Sequence, residues 1–346
     1  MVREKKRLVL ETLFIAEVNR LTDLLVQIVS HRPAHQNFSR EQLREVLIEF
    51  TACFPIYRTY IRPMEESVSE NDLVYIQDAT AVAKKSRPDL SPELFDFLYD
   101  LLLLLFHGEQ ESEFVARFQQ LSGPTMAKGV EDTTFYCLNY FLSLNEVGGD
   151  PGKFGVNEDE FHEFCLEQCR QNPHTMLGSS THDTKRSEDV RARLNVLSEI
   201  PAEWSSAVWQ WSKMNEKHRK NHFPDRNIEY FFYQTLVGAW PISPERLEAY
   251  MEKSSCEAKQ HTDWNHRDKQ YDTALKDFVA AILRDEEFTR DLEKFIDSVT
   301  VAGQVNSLAQ TLIKLTAPGV PDIYQGNEIW DAREHAIGKN RKRIFR

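Results

Sequence analysis

Cysteine is scarce in this sequence: five residues in 346, Cys53, Cys137, Cys165, Cys169 and Cys256. An odd and low count excludes a disulfide framework and points to a reducing compartment. Long apolar runs are missing too. The longest covers residues 101–106, far short of the roughly 20 residues a membrane-spanning helix needs. The opening MVREKKRLVLETLF is basic, but Glu11 and Thr12 interrupt its apolar positions and no small-residue cleavage site follows, so it does not read as a signal peptide. Basic charge is in deficit, with 42 Lys and Arg against 54 Asp and Glu, a net charge of -12. That balance argues against nucleic acid and against anionic membranes. It is compatible with a neutral substrate such as a sugar. The phosphate-loop, dinucleotide, serine-hydrolase and zincin motifs are all absent, as are internal repeats and low-complexity segments. These absences leave a soluble, cytoplasmic protein.

What is present begins as helix. Leu13, Val18, Leu21, Leu25, Ile28 and Val29 recur mostly at spacings of three to five, and Pro33 ends that helix. Ser39 with Gln42 forms a capping-box pattern ahead of LREVLIEFTACF. Ser69 with Asp72 opens another helix through Ala83, and Ser91-Pro92-Glu93 a fourth. Alternation of β-branched residues is scarce before residue 120.

The character changes near residue 117. RFQQLSGPTMAKGVEDTTFY carries a Gly-Pro break, a short apolar piece and a polar turn. NEVGGDPGKFGV, residues 145–156, holds four glycines and one proline and reads as a structured loop or a linker. A short helix, EDEFHEFCLEQCRQ, precedes a brief strand candidate that runs into SSTHDTKRSEDVRAR, residues 179–193. Helical patterns follow at 190–213, 229–250 and 271–301. The segment SLAQTLIKLTAPGVPDIYQGNEIW then gives a helix, a Pro-Gly turn, a short strand and a polar loop. Three strand candidates thus end in polar loops, GVEDT, THDTK and YQGNE. In a (β/α) barrel, catalytic and binding groups sit in such loops, although a full barrel needs eight strands.

His182-Asp183 follows the second strand candidate. A carboxylate there would stabilise an oxocarbenium-like centre while the imidazole bonds a sugar hydroxyl. Lys185 and Arg186 would hold that carboxylate ionised and grip substrate oxygens. The competing reading is a solvated helix start with Glu188–Arg191 and Asp189–Arg193 pairs; it accounts for residues 188–193 but not for the Thr-His-Asp-Thr ahead of them. Lys128, Glu131 and Asp132 form a second polar cluster, which reads equally as a turn with Gly129 where the backbone needs freedom. His162, Cys165 and Cys169 share one helix face but lack a fourth metal ligand at a recognisable spacing, and such cysteines are normally small buried hydrophobes. No metal site and no cofactor are expected. Most of the tryptophans, Trp204, Trp209, Trp211, Trp240 and Trp264, are expected in the core, and with Tyr57, Tyr60 and Tyr324 they could also offer flat faces to sugar rings.

MAKGVEDTTFY (126–136), NEVGGDPGKFG (145–155), STHDTKRSEDVRAR (180–193), YQTLVGAWP (233–241) and APGVPDIYQGNEIW (317–330), with PIYRTY (55–60), resemble the signature segments of the maltooligosyltrehalose synthases. That family belongs to the α-amylase clan, glycoside hydrolase family 13. The resemblance is collinear from about Arg7 to Trp330. It implies a (1→4)-α-D-glucan 1-α-D-glucosylmutase, an isomerase of retaining mechanism in trehalose biosynthesis, which turns the reducing-end α-1,4 bond of a maltooligosaccharide into an α,α-1,1 bond. By resemblance, Asp183 is the transition-state stabiliser. His182, Lys185, Arg186, Lys128, Glu131, Asp132, Tyr324, Gln325 and Glu328 are then substrate-binding.

The implied fold is mainly α with a few short β-strands. A helical subdomain spans residues 1–116, and the C-terminal portion of an incomplete (β/α)8 barrel spans 117–346, with strands near 125–128, 175–180 and 320–324. In the family the nucleophilic aspartate and the general-acid glutamate precede the helical subdomain, and no such segment is found ahead of Glu11. Residues 331–346 depart from the family pattern. The chain is therefore expected to be inactive alone, to bind a maltooligosaccharide, and to expose an apolar patch near residues 320–324. That patch would recruit either a second copy or a complementary N-terminal half. The alternative is a catalytically inactive carbohydrate-binding or scaffold fragment.

Overall fold

The structure, a computed structural model, describes residues 1–65 and 67–330; the sequence departure at 331–346 lies outside the described residues. The chain divides into two compact units, Met1–Thr134 and Phe135–Arg346. Residues 117–134, expected with the second part, thus belong to the helical unit.

Unit 1 is built from α1 (Val2–Thr12), α2 (Ile15–Ser30), α3 (Arg40–Cys53), α4 (Glu70–Ser86), α5 (Pro92–Leu102) and α6 (Glu109–Met126). The two capping boxes form as the sequence spells them, Ser39 with Gln42 and Ser69 with Asp72. The apolar stripes meet in one core, where the rings of Phe50 and Phe54 pack 5.6 and 5.4 Å from that of Phe118.

Residues 125–128 are not a strand. α6 runs through Met126, and Ala127–Glu131 form a π turn closed by the Asp132 N–H donating to the Ala127 carbonyl at 2.9 Å. Pro124 removes one helical N–H but not the helical spacing of the buried face: Phe114, Phe118, Leu121 and Thr125 continue across the Gly123-Pro124 pair. The hydroxyl of Thr125 returns to the Leu121 carbonyl at 2.8 Å. The backbone then widens into the π turn instead of breaking.

Unit 2 contains α7 (Glu158–Gln171), β1 (Met176–Gly178), α8 (Glu188–Asn195), α9 (Pro201–Asn215), α10 (Arg226–Ala239), α11 (Pro244–Ala258), α12 (Lys269–Arg284), α13 (Glu286–Thr316) and β2 (Val320–Asp322). Its core gathers Trp211, Phe231, Tyr233, Tyr250 and Phe288 with aliphatic residues of α8 and α13. Trp209 and Trp264 are exposed instead. β1 and β2 pair in parallel, Met176 opposite Val320 and Gly178 opposite Asp322. They are the two strands found among the described residues. α7 buries none of its residues; Cys165 is half-buried and Cys169 exposed, so they are not core hydrophobes. Among the described residues no group of three or more His, Cys, Asp or Glu side chains is placed to hold a metal ion.

Candidate functional site

A parallel pair sends both chains out at the same end. β1 continues into residues 179–187 and β2 into residues 323–330, so the two polar loops leave the sheet side by side. The first loop is a tight, self-closed turn. The Thr181 N–H donates to the Thr184 hydroxyl oxygen at 2.5 Å, and the Asp183 N–H donates to the Thr181 hydroxyl oxygen at 3.2 Å. These bonds lift His182 and Asp183 to the tip, where both are exposed. Ser187 then caps α8 by accepting from the Val190 N–H.

The loop is anchored from an element that the sequence reading left without a role. Glu146, from the glycine-rich segment, is only 8% exposed. It accepts the Lys185 N–H at 2.8 Å on one oxygen and the Arg186 N–H at 3.0 Å on the other. A carboxylate straddling two successive amides fixes the direction in which the turn points.

Lys185 and Arg186 are buried, at 5% and 1% exposure. The Arg186 guanidinium faces inward, donating to the Tyr250 hydroxyl at 3.0 Å and lying over the Phe231 ring at 5.6 Å. It is a strut of the unit 2 core and not a grip on a ligand. The solvated helix face expected at 188–193 is also absent. Glu188, Asp189 and Arg193 are 3%, 4% and 4% exposed, because α13 covers α8. Glu188 pairs with Lys314 at 3.3 Å and accepts from the Ser179 hydroxyl, while Asp189 accepts from the Ser307 hydroxyl. Arg193 reaches the carbonyls of Gly238 and Trp240. Arg191 donates to the Ser179 carbonyl at the end of β1, and burial lowers its pKa against the opposing pull of Glu146 and Glu188. Charge within one helix suggested local pairs; the partners come instead from outside α8, from Ser179 just ahead of it to Lys314 on α13.

In the second loop, the Asn327 N–H donates to the Tyr324 carbonyl at 3.0 Å, and Glu328 accepts the Gly326 N–H at 2.8 Å. Gln325 and Glu328 are exposed and Tyr324 is half-buried. Lys128, Glu131 and Asp132 lie in unit 1. Lys128 pairs with Asp132 at 2.7 Å, and buried Glu131 accepts from the Tyr57 hydroxyl. Gly129 is there for close approach: a Cβ would stand 2.8 Å from the Lys6 Cα.

No family model matches the chain. Over 261 residues it is 36% identical to a Mycobacterium tuberculosis protein named "Putative maltooligosyl trehalose synthase", an alignment taking in 73% of this chain and 32% of the relative. The solved maltooligosyltrehalose synthase of Arthrobacter ramosus matches with a TM-score of 0.81 and 33% identity, covering 96% of this chain and 40% of that one. A "hypothetical maltooligosyl trehalose synthase" of Sulfolobus tokodaii matches at 0.74 and 31%, covering 95% and 41%. The chain thus spans about a third of the length of the curated relatives it matches.

Proposed function

Because this chain belongs to the maltooligosyltrehalose synthase family, we propose that it carries strand-end loops of an enzyme that isomerises the reducing end of a maltooligosaccharide to a trehalose unit. Asp183 supports the oxocarbenium-like transition state, and His182 bonds a hydroxyl of the reacting sugar. Tyr324, Gln325 and Glu328 complete the wall that the parallel strands set beside them. Lys185 contributes through its backbone, which Glu146 holds. The reaction is of the retaining type, and its nucleophile and general acid come from sequence outside this chain. The relatives are more than twice as long, which leaves room for both. A lone transition-state carboxylate without them gives negligible glycosyl transfer.

The observation that carries this reading is the exposed His182–Asp183 turn, self-closed by Thr181 and Thr184, at the same sheet end as the loop after β2.

The partner follows from what β1, β2 and α13 leave open. Met176, Val320 and Ile323 are exposed, and so is a row on α13. That row, Val301, Val305, Leu308, Leu312 and Leu315, repeats at alternating steps of four and three, which places it on one helix face. A complementary polypeptide bearing the rest of the barrel covers it; a concentration-dependent homodimer of the isolated chain would favour a second copy instead.

The test is a calorimetric titration of maltopentaose into the chain and into His182→Ala and Asp183→Ala. Both substitutions are expected to weaken binding at least tenfold. Unchanged binding in both variants would favour a helical scaffold with no sugar role for this loop.

A further inference from the structure

Unit 1 holds a cleft of about 810 Å³ to which no role has been given above. One wall is the PIYRTY segment, with Tyr57, Arg58 and Tyr60; the other is the start of α4, with Asn71, Asp72 and Tyr75. The first wall is fixed from beneath. The Tyr60 N–H donates to Asp72 at 3.1 Å, the Gln119 side chain donates to the Ile61 carbonyl at 3.0 Å, and the Thr59 hydroxyl donates to Gln119 at 3.3 Å. Asp72 and Gln119 are themselves buried, at 6% and 5% exposure. Yet the ring this scaffold presents, Tyr60, is 73% exposed. The Arg58 guanidinium lies 4.7 Å from its centroid and so covers one face. An immobilised backbone carrying an aromatic ring in water is a pre-organised stacking surface, since little conformational entropy remains to be lost when a ligand arrives.

The polar groups around it select the ligand. Arg62 is paired with Glu65 at 2.6 Å, and the Arg58 Nε donates to the Thr59 carbonyl at 3.1 Å. Asp72 also lines the cleft, its carboxylate accepting the Tyr60 N–H and the Ser69 N–H and hydroxyl. Cations already engaged beside a carboxylate make a poor anion cradle. Tyrosine rings flanked by hydroxyl, amide and guanidinium donors suit the flat apolar faces and equatorial hydroxyls of pyranose rings.

We propose that this cleft binds a stretch of α-1,4-glucan, with a glucosyl ring stacked on Tyr60 and further contacts from Tyr75 and Asn71. The choice of glucan rests on the functional reading given above; the existence of a stacking cleft does not.

Hydrogen exchange of the full chain with and without maltohexaose separates the two. Maltohexaose is expected to slow exchange in residues 56–62, and calorimetry is expected to show at least tenfold weaker binding in Tyr60→Ala. Tyr60→Phe, which keeps the ring, should stay within about twofold of the parent. Tyr60 is largely in water, so its truncation leaves the fold intact. Protection of 56–62 that persists in Asp183→Ala supports the cleft whatever happens at residues 179–186. Protection confined to 179–186 overturns the cleft and leaves the functional reading standing. Protection nowhere overturns both, and protection of 56–62 by inorganic phosphate instead of maltohexaose overturns the glucan assignment.

Discussion

Replacing Glu146 by alanine should release the turn that carries His182 and Asp183. The carboxylate accepts two amide hydrogens, Lys185 at 2.8 Å and Arg186 at 3.0 Å, in surroundings where both residues are buried. A hydrogen bond to a charged group contributes about 1.5–3 kcal/mol, so the pair amounts to about 3–6 kcal/mol. Water entering the vacated space recovers part of this. A local loss of about 3 kcal/mol remains, which at about 1.4 kcal/mol per tenfold corresponds to exchange of these amides on the order of a hundredfold faster. Arg191, whose Nε lies 3.8 Å from Glu146, loses an opposing charge at the same time. Glu146→Gln keeps one accepting oxygen and turns an amide donor toward the other N–H, so it should fall between alanine and the parent. Amide-resolved hydrogen exchange over residues 180–187 is the assay. Exchange in Glu146→Ala within threefold of the parent would refute the anchoring role.

Three further outcomes follow from the packing. Gly129→Ala should destabilise unit 1 by about 1–3 kcal/mol, because the new methyl meets the Lys6 backbone at 2.8 Å; urea unfolding would show it. Burial brings the Lys6 ammonium down to about 8 while it donates to the Phe54 carbonyl at 2.6 Å. An unfolded lysine still holds its proton at pH 9, so Lys6 should make unit 1 more stable as pH rises from about 8 to 10. Lys6→Met should remove that rise, and identical pH profiles for parent and variant would refute it. Asp285 caps α13, and its bond from Lys217 together with the Phe288 N–H holds its carboxyl at about 2. Its contribution is present above the ordinary carboxylate range and lost as pH falls toward 2. Asp285→Ala should cost about 1 kcal/mol at neutral pH in thermal unfolding, with the difference fading in acid.

The helices were legible in the sequence because their signals are local. Ser39 and Ser69 announce helix starts by side-chain bonds to residues three positions on, and the structure repeats them. The THDTK segment reads only as a polar loop after a strand candidate; the bonds within residues 181–184 that close it on itself do not show in the sequence. The 125–128 strand failed because Gly-Pro was weighed as a break, while the apolar face on either side kept its helical step. The 188–193 face failed for a different reason. A charged run on one helix looks solvated until its long-range partners are known, and Lys314, Ser307 and the carbonyls of 238 and 240 lie far along the chain. Glu146 was hidden inside a segment read for its glycines. Nothing in spacing marks a carboxylate that accepts two amides forty residues away.

Asp183 is proposed to serve a retaining glucosyl transfer whose nucleophile and general acid lie outside this chain. The most direct test supplies the complementary N-terminal part of an Arthrobacter ramosus-type relative to this chain, adds maltopentaose, and measures loss of reducing ends by chromatography of the product. A non-reducing oligosaccharide is expected from the mixture, none from either part alone, and a drop of at least a hundredfold in Asp183→Asn. A mixture in which Asp183→Asn performs as well as the parent, or a complex that forms and yields no non-reducing product, would contradict that role.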